Sequence, residues 1–240
     1  MNREAFGVFG KIHAEEDLKQ KTVSYLHKEM EKRARKRKRR AFRIAICCMS
    51  AVLFTACGGV FLGAYFTPVA YIDFDVNPSV EFRVNRFGRV IASCAYNDDG
   101  QELLGEINVS NLPYDEAAKR LLGAMDAEGY FGQDALLCVT VQTKEQDREG
   151  GMLARLQEIV AQGGAGGGYG VFADIYAVTE EVKHCASEHQ VSPAKYLAIE
   201  ELIEVDPEAD FETCRGHSVH EIRQMTQEKC SGHGEHGHHH

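Results

Sequence analysis

Hydrophobic and polar positions follow three different patterns in turn along the 240-residue chain. Between Glu15 and Arg33 apolar residues recur at helical spacing. Leu18, Tyr25 and Leu26, with Thr22 between them, follow the acids Glu15, Glu16 and Asp17 and precede a basic end, which suits the helix macrodipole. Phe6, Phe9 and Ile12 add a second apolar row. From Ile44 to Phe66 the periodicity gives way to an uninterrupted apolar run, IAICCMSAVLFTACGGVFLGAYF. As a helix this run is about 34 Å long, against a hydrocarbon core of about 30 Å. Pro68 ends the helix, and the pattern turns to period two. VAYIDFDV, residues 69–76, puts Ala70, Ile72, Phe74 and Val76 on one face of a strand and Tyr71, Asp73 and Asp75 on the other. Continuing the alternation places Asn77 on the Asp face.

SVEFRVNR resumes the alternation, NRFG turns the chain at Gly88, and RVIASCAYN reads as a third strand ending at NDDG. QELLGEI predicts a short helix. PYDEAAKRLLGAMDAEGY predicts a longer one with Ala118, Leu121, Leu122 and Met125 as its buried stripe. DALLCVTVQT reads as a central strand, MLARLQEIVAQ as a helix and YGVFADIYAV as a further strand. TEEVKHCASEHQV and SPAKYLAIEELIEVD predict helices. In the second, Ser192 caps, Pro193 fits the first turn, and Tyr196, Leu197, Ile199, Leu202 and Ile203 form the apolar face. HSVHEIRQM predicts a last short turn. The expected fold is an α+β domain, a mixed sheet with packed helices, preceded by one transmembrane helix and a short amphipathic helix. The expected segments are 1–43, 44–66, 67–226 and a His-rich flexible tail, 227–240.

Charge sets the orientation. Through Arg43 there are 14 Lys and Arg against 6 Asp and Glu; beyond it, 13 against 30. KRARKRKRR, residues 32–40, lies just before the apolar run, and basic residues so placed stay in the cytoplasm. The expected topology is a plasma-membrane protein with its N-terminus inside and its α+β domain outside. The basic run is read as a topology determinant that also touches anionic lipid, with no direct nucleic-acid contact. The amphipathic segment is too short to form a core, so it lies on the membrane or docks on a partner. The partner reading is the one adopted, with Phe9, Ile12, Leu18, Tyr25 and Leu26 as contact residues.

The cysteines repeat no CxxC spacing, and no nucleophile–base set, Walker loop or HExxH appears, so neither a disulfide framework nor an enzyme acting on external substrates is indicated. GGAGGGYG lacks the Lys-Ser/Thr ending of a phosphate-binding loop and reads as a connector. His233, His236, His238, His239 and His240 have no fixed geometry, and Cys214, His217 and His220 fit a surface helix equally well. No metal or cofactor is assigned.

The combination AYIDFDVNPSVEFRVNRFGRVIASCAYNDDGQELL resembles the extracytoplasmic domain of the sigma-I anti-sigma factors, the RsgI family. SPAKYLAIEELIEVDPEADFETCRGHSVHEIRQM is similar to that family's Ser-Pro-x-Lys-Tyr helices and the element after them. The resemblance implies a single-pass anti-sigma factor that sequesters a sigma factor inside and releases it on an outside signal through regulated proteolysis by site-1 and site-2 type proteases. It further implies self-cleavage at the Asn-Pro-Ser motif, here Asn77, Pro78 and Ser79. In this chain a short helical segment replaces the family's usual N-terminal β-rich domain, and no large sensor module is read after residue 226.

Elementary chemistry is compatible with a cut between Asn77 and Pro78. Proline's nitrogen carries no N–H, so it cannot attack the Asn side chain. The remaining intramolecular route is attack of the Asn77 side-chain nitrogen on its own carbonyl carbon, closing a succinimide and expelling Pro78. Asp75, on the same strand face, is the candidate proton acceptor or orienting group, with Asp73 a weaker one. The competing reading is an ordinary turn or bulge. The competing function is a cell-envelope lipoprotein or membrane-anchored binding module beginning at a lipidated Cys57 in FTAC.

Overall fold

A computed structural model describes residues 16–132, 135–163 and 169–232. Phe6, Phe9, Ile12 and the histidines from His233 onward lie outside them. The chain divides into two compact units, Met1–Phe61 and Leu62–His240.

Helix α1, Glu16–Phe66, holds the expected amphipathic and apolar segments in one continuous helix of 51 residues. The sequence offers no break: Lys, Arg and Ala, good helix formers, carry the chain through the basic stretch. None of its side chains is buried. Leu18, Tyr25 and Leu26 are 61%, 65% and 53% exposed. By length and composition α1 is able to cross a membrane.

At the end of α1, Thr67 bonds the Gly63 carbonyl through both its backbone N and its Oγ1, at 3.1 and 2.7 Å. Pro68 then opens β1 (Pro68–Asp75), a position where a strand tolerates a missing N–H. β2 (Ser79–Asn85), β3 (Val90–Ala95), β4 (Leu136–Thr143) and β5 (Phe172–Ala177) complete a five-stranded sheet of order β3-β2-β1-β4-β5. β1 is therefore the central strand, antiparallel to β2 on one side and to β4 on the other. β4 and β5 are parallel, joined through the crossover helix α4 (Gln146–Gln162). Gly88, at φ +73°, makes the β2–β3 turn. Buried Asn85 braces that turn: its Oδ1 accepts from the backbone of Phe87 and Arg89, and its Nδ2 donates to the Tyr65 carbonyl at 2.9 Å.

Helices cover both faces of the sheet. On one, Ala70, Ile72, Phe74, Val80, Phe82 and Val84 pack against α2 (Asp98–Glu106), α3 (Tyr114–Ala127) and α4, whose buried residues include Leu103, Leu121, Leu122, Met125 and Leu156. On the other, Cys138 packs with residues of α6 (Pro193–Val205), α7 (Phe211–Cys214) and α8 (Val219–Gly232). The expected last short turn is thus a 14-residue helix. α5 (Glu180–Glu188) lies on this second side too, its Lys183 bonded to Asp73. The α+β class is as the sequence indicates, with one refinement: the Asp face of β1 is as covered as its apolar face, Asp73 and Asp75 being 1% and 2% exposed.

Candidate functional site

β1 and β2 form a hairpin closed by Asp75 opposite Ser79, leaving Val76, Asn77 and Pro78 as the loop. The Val76 N–H donates to the Pro78 carbonyl at 3.1 Å, so the loop is tight. Asn77 has φ +104°, beyond the left-handed region that asparagine tolerates, and the position before a proline normally favours extended, negative-φ backbone. Strain is thus concentrated in the residue that precedes the Asn77–Pro78 bond. Asn77 is exposed, whereas Pro78 and Ser79 are buried.

Asn97 holds the loop in place. Its Oδ1 accepts from the Ser79 N–H and from the Gly100 N–H, each at 3.0 Å, capping α2 and anchoring the start of β2 with one oxygen. Its Nδ2 donates to Asn77 Oδ1 at 2.6 Å. Because Asn97 Oδ1 is committed to two backbone donors, Asn77 must present its oxygen, which leaves the Asn77 nitrogen at the end turned away. Gly100 lets α2 approach: a Cβ there would lie 2.6 Å from the Ser79 carbonyl oxygen.

Asp75, expected beside Asn77, is engaged elsewhere. Ser192 Oγ donates to Asp75 Oδ2 while accepting from the Lys195 N–H at 3.1 Å, so the α6 cap is also the carboxylate's partner. Among the described residues Asp75 and Asn77 share no hydrogen bond. Burial pushes the Asp75 carboxyl up, against the charge of Lys195 and the hydroxyls of Ser192 and Ser79. Ser79 Oγ lies near enough to favour the charged carboxylate, yet makes no well-aligned hydrogen bond among the described residues.

A second polar group lies one pleat away. Asp73 on β1 is directly opposite Glu81 on β2. Lys183 Nζ reaches Asp73 Oδ1 at 2.8 Å, Tyr96 Oη at 2.7 Å and also Glu81 Oε2. Tyr96 Oη lies 2.8 and 3.0 Å from Asp73 Oδ1 and Glu81 Oε2, and Arg83 Nε bonds Glu81 Oε1 at 2.7 Å. Burial pushes the Asp73 carboxyl up to about 6, with the neighbouring Glu81 charge adding to it and Lys183 opposing. Burial also presses on Glu81, but Lys183 and Arg83 outweigh it and hold that carboxyl below its usual range.

The family described as "Anti-sigma factor RsgI-like central domain" matches residues 69–201, more than half of the chain. The chain belongs to this anti-sigma factor family. Anti-sigma-I factor RsgI7 of Acetivibrio thermocellus is 28% identical over 194 residues, 77% of this chain and 34% of that protein. RsgI3 of the same organism is 24% identical over 167 residues, 64% of this chain and 26% of the relative. RsgI9 is 30% identical over 100 residues, 39% of this chain and 14% of the relative. The chain thus spans about a third or less of the length of these curated relatives.

Within the RsgI-like domain Asn77 and Pro78 lie in the β1–β2 loop and Ser79 opens β2, and the structure sets beside them two residues that sequence reasoning did not single out for this site, Asn97 and Ser192. Of the residues expected to bind a partner, Leu18, Tyr25 and Leu26 are exposed on α1; Phe9 and Ile12 are not among the described residues. The signal for Asn97 was present: an Asn followed by Asp98 and Asp99 is a helix start as much as a strand end.

Proposed function

We propose that this chain is a single-pass anti-sigma factor: its N-terminal helical segment sequesters a sigma factor at the cytoplasmic face, and its outer domain cuts itself between Asn77 and Pro78. Regulated proteolysis by site-1 and site-2 type proteases then releases the sigma factor on an outside signal. The observation that carries the reading is the family match from residue 69 onward, which begins three residues after a helix long and apolar enough to span. Exposure of Leu18, Tyr25 and Leu26 supports their use, with Phe9 and Ile12, as the sigma-binding face. Lys32 to Arg40 meet anionic lipid at the inner surface.

Strain at Asn77 and a side chain already held in place support self-cleavage, since enforced proximity lowers the barrier of an intramolecular attack. Asp75 serves this reaction as a positioning residue: tied to Ser192 and facing Ser79, it fixes the end of β1 rather than accepting the proton directly. Ser79 fixes the other side of the loop through its backbone N–H to Asn97 and its carbonyl to the Tyr96 N–H.

One experiment tests sigma binding and self-cleavage together. The full chain and its Asn77→Ala variant, tagged at the N-terminus, are expressed in a sigma-I-containing Gram-positive host, extracted in mild detergent and recovered through the tag. The expected result is two pieces meeting at Asn77/Pro78 on a denaturing gel for the native chain, one for the variant, and a sigma factor recovered with both. Failure to recover tagged chain, with a mature protein beginning at Cys57 left in the membrane fraction, would establish the lipoprotein alternative. A single uncut band from the native chain would remove self-cleavage.

A further inference from the structure

We propose that Asn97 is a positioning residue for the cut at Asn77–Pro78, acting through its amide on the Asn77 carboxamide; this rests on the self-cleavage proposed above. In the step concerned, Asn77 Nδ2 forms a bond to the Asn77 carbonyl carbon while that carbon's bond to the Pro78 nitrogen breaks. The proton lost by Nδ2 ends on the Pro78 nitrogen, which leaves as a secondary amine. Atoms balance without any co-reactant, and water later opens the succinimide. A carboxamide nitrogen is a poor nucleophile because its electron pair is delocalised onto the oxygen. It gains strength as its proton is withdrawn and negative charge accumulates on Oδ1.

Asn97 Nδ2 lies 2.6 Å from that oxygen. A donor there does two things at once. It stabilises the charge that builds on Oδ1 as Nδ2 loses its proton, as preorganised donors do wherever charge develops. It also fixes which end of the carboxamide faces Asn97, so Nδ2 is held at the other end. The donor is itself preorganised, because Asn97 Oδ1 is clamped by the Ser79 and Gly100 N–H groups and the side chain cannot turn over without breaking both bonds. Ser79 belongs to the segment immediately beyond the bond to be cut, so the clamp references the nucleophile to its own leaving side. Gly100 is needed for this arrangement, since a Cβ would meet Ser79 O at 2.6 Å and Asn97 Oδ1 at 2.9 Å.

The test uses the full-length chain made in a cell-free reaction with lipid nanodiscs. Cleavage is followed over time on denaturing gels, and the mass of the piece ending at Asn77 reports the succinimide. Asn97→Asp keeps an acceptor for both backbone N–H groups and removes the donor. Its expected cleavage is about tenfold slower or more, one hydrogen bond's worth in the barrier. The ratio of variant to native rate should rise as pH falls through the carboxylate range near 4, where the introduced carboxyl regains a proton to donate. Asn97→Ser still caps α2 but is too short to reach Asn77; it should cleave slowly at every pH. Protease resistance of the folded domain monitors folding in both. A purely capping role would leave either variant, once folded, cutting at the native rate, and that result overturns the inference alone. A native chain that never cuts overturns the self-cleavage reading and this inference with it.

Discussion

Asp73 and Glu81 place two carboxylates opposite each other in an antiparallel pair, an arrangement that destabilises a sheet unless a cation intervenes. Lys183 and Tyr96 supply the bonds, and all four groups are largely withdrawn from water. In the folded chain the Asp73 carboxyl is pushed by burial from 3.8 up to about 6. Between those values the folded form holds a proton that the unfolded chain has released, so raising the pH from about 4 to about 6 favours unfolding through this group. Glu81 works in the opposite sense: its folded value is depressed, so its contribution is present at neutral pH and lost only as the pH falls through that lower value. Relative to Asp73→Asn, the native chain should therefore lose stability from pH 4 to 6, by up to about 3 kcal/mol, and run parallel above that, each tenfold in proton affinity being worth about 1.4 kcal/mol. Urea unfolding of both chains at a series of pH values measures it. A difference that grows in the native chain's favour over that range would mean that Lys183 outweighs burial at Asp73.

Helix α6 shows how much an element's sequence discloses. Its cap at Ser192 and the proline that follows are legible, because capping is local chemistry. The residues it buries most deeply are Ala194, Ala198, Ile199 and Leu202, while Tyr196, Leu197 and Ile203, expected on its apolar face, are only partly covered. Small side chains let a helix lie close on a sheet, and periodicity in large apolar residues cannot register that. Likewise the alternation within β1 and within β2 is legible, but the register that sets Asp73 opposite Glu81 is seen only in the structure, and their counter-ion sits 110 positions from Asp73, where nothing local announces it. Asn97 was hidden differently: it ends one element's pattern and begins another's. Because Ser192 both caps α6 and donates to buried Asp75, Ser192→Ala should cost about 2–3 kcal/mol, a cap plus a buried hydrogen bond left unmade. Ser192→Thr, which keeps the hydroxyl, should recover most of it. Denaturant midpoints compare the three chains; a loss of only a few tenths would mean that water replaces the hydroxyl at Asp75.

At the scale of the whole domain, the position of β1 decides what the proposed cut would do. The piece ending at Asn77 contributes one strand to the sheet, and that strand is the central one, in register with β2 from Pro68 to Asp75 and with β4 from Ala70 to Asp75. Ile72 and Phe74 are fully buried, and Phe74 packs edge-on against Phe82 of the other piece with ring centres 5.3 Å apart. Lys183 ties Asp73 to that piece as well. Cutting one loop bond removes none of these contacts, so the two pieces should stay together, and withdrawal of β1 becomes the event that separates them. Detergent-extracted, cut protein should therefore elute as one species in buffer and part only in denaturant. Ile72→Ala should weaken the hold by about 2–4 kcal/mol, the usual loss for truncating a buried aliphatic side chain. With a urea dependence of about 1–3 kcal/mol per molar, the separation midpoint should fall by roughly 1–2 M. Pieces that drift apart in buffer, or a midpoint indifferent to Ile72→Ala, would show that β1 is not what holds them.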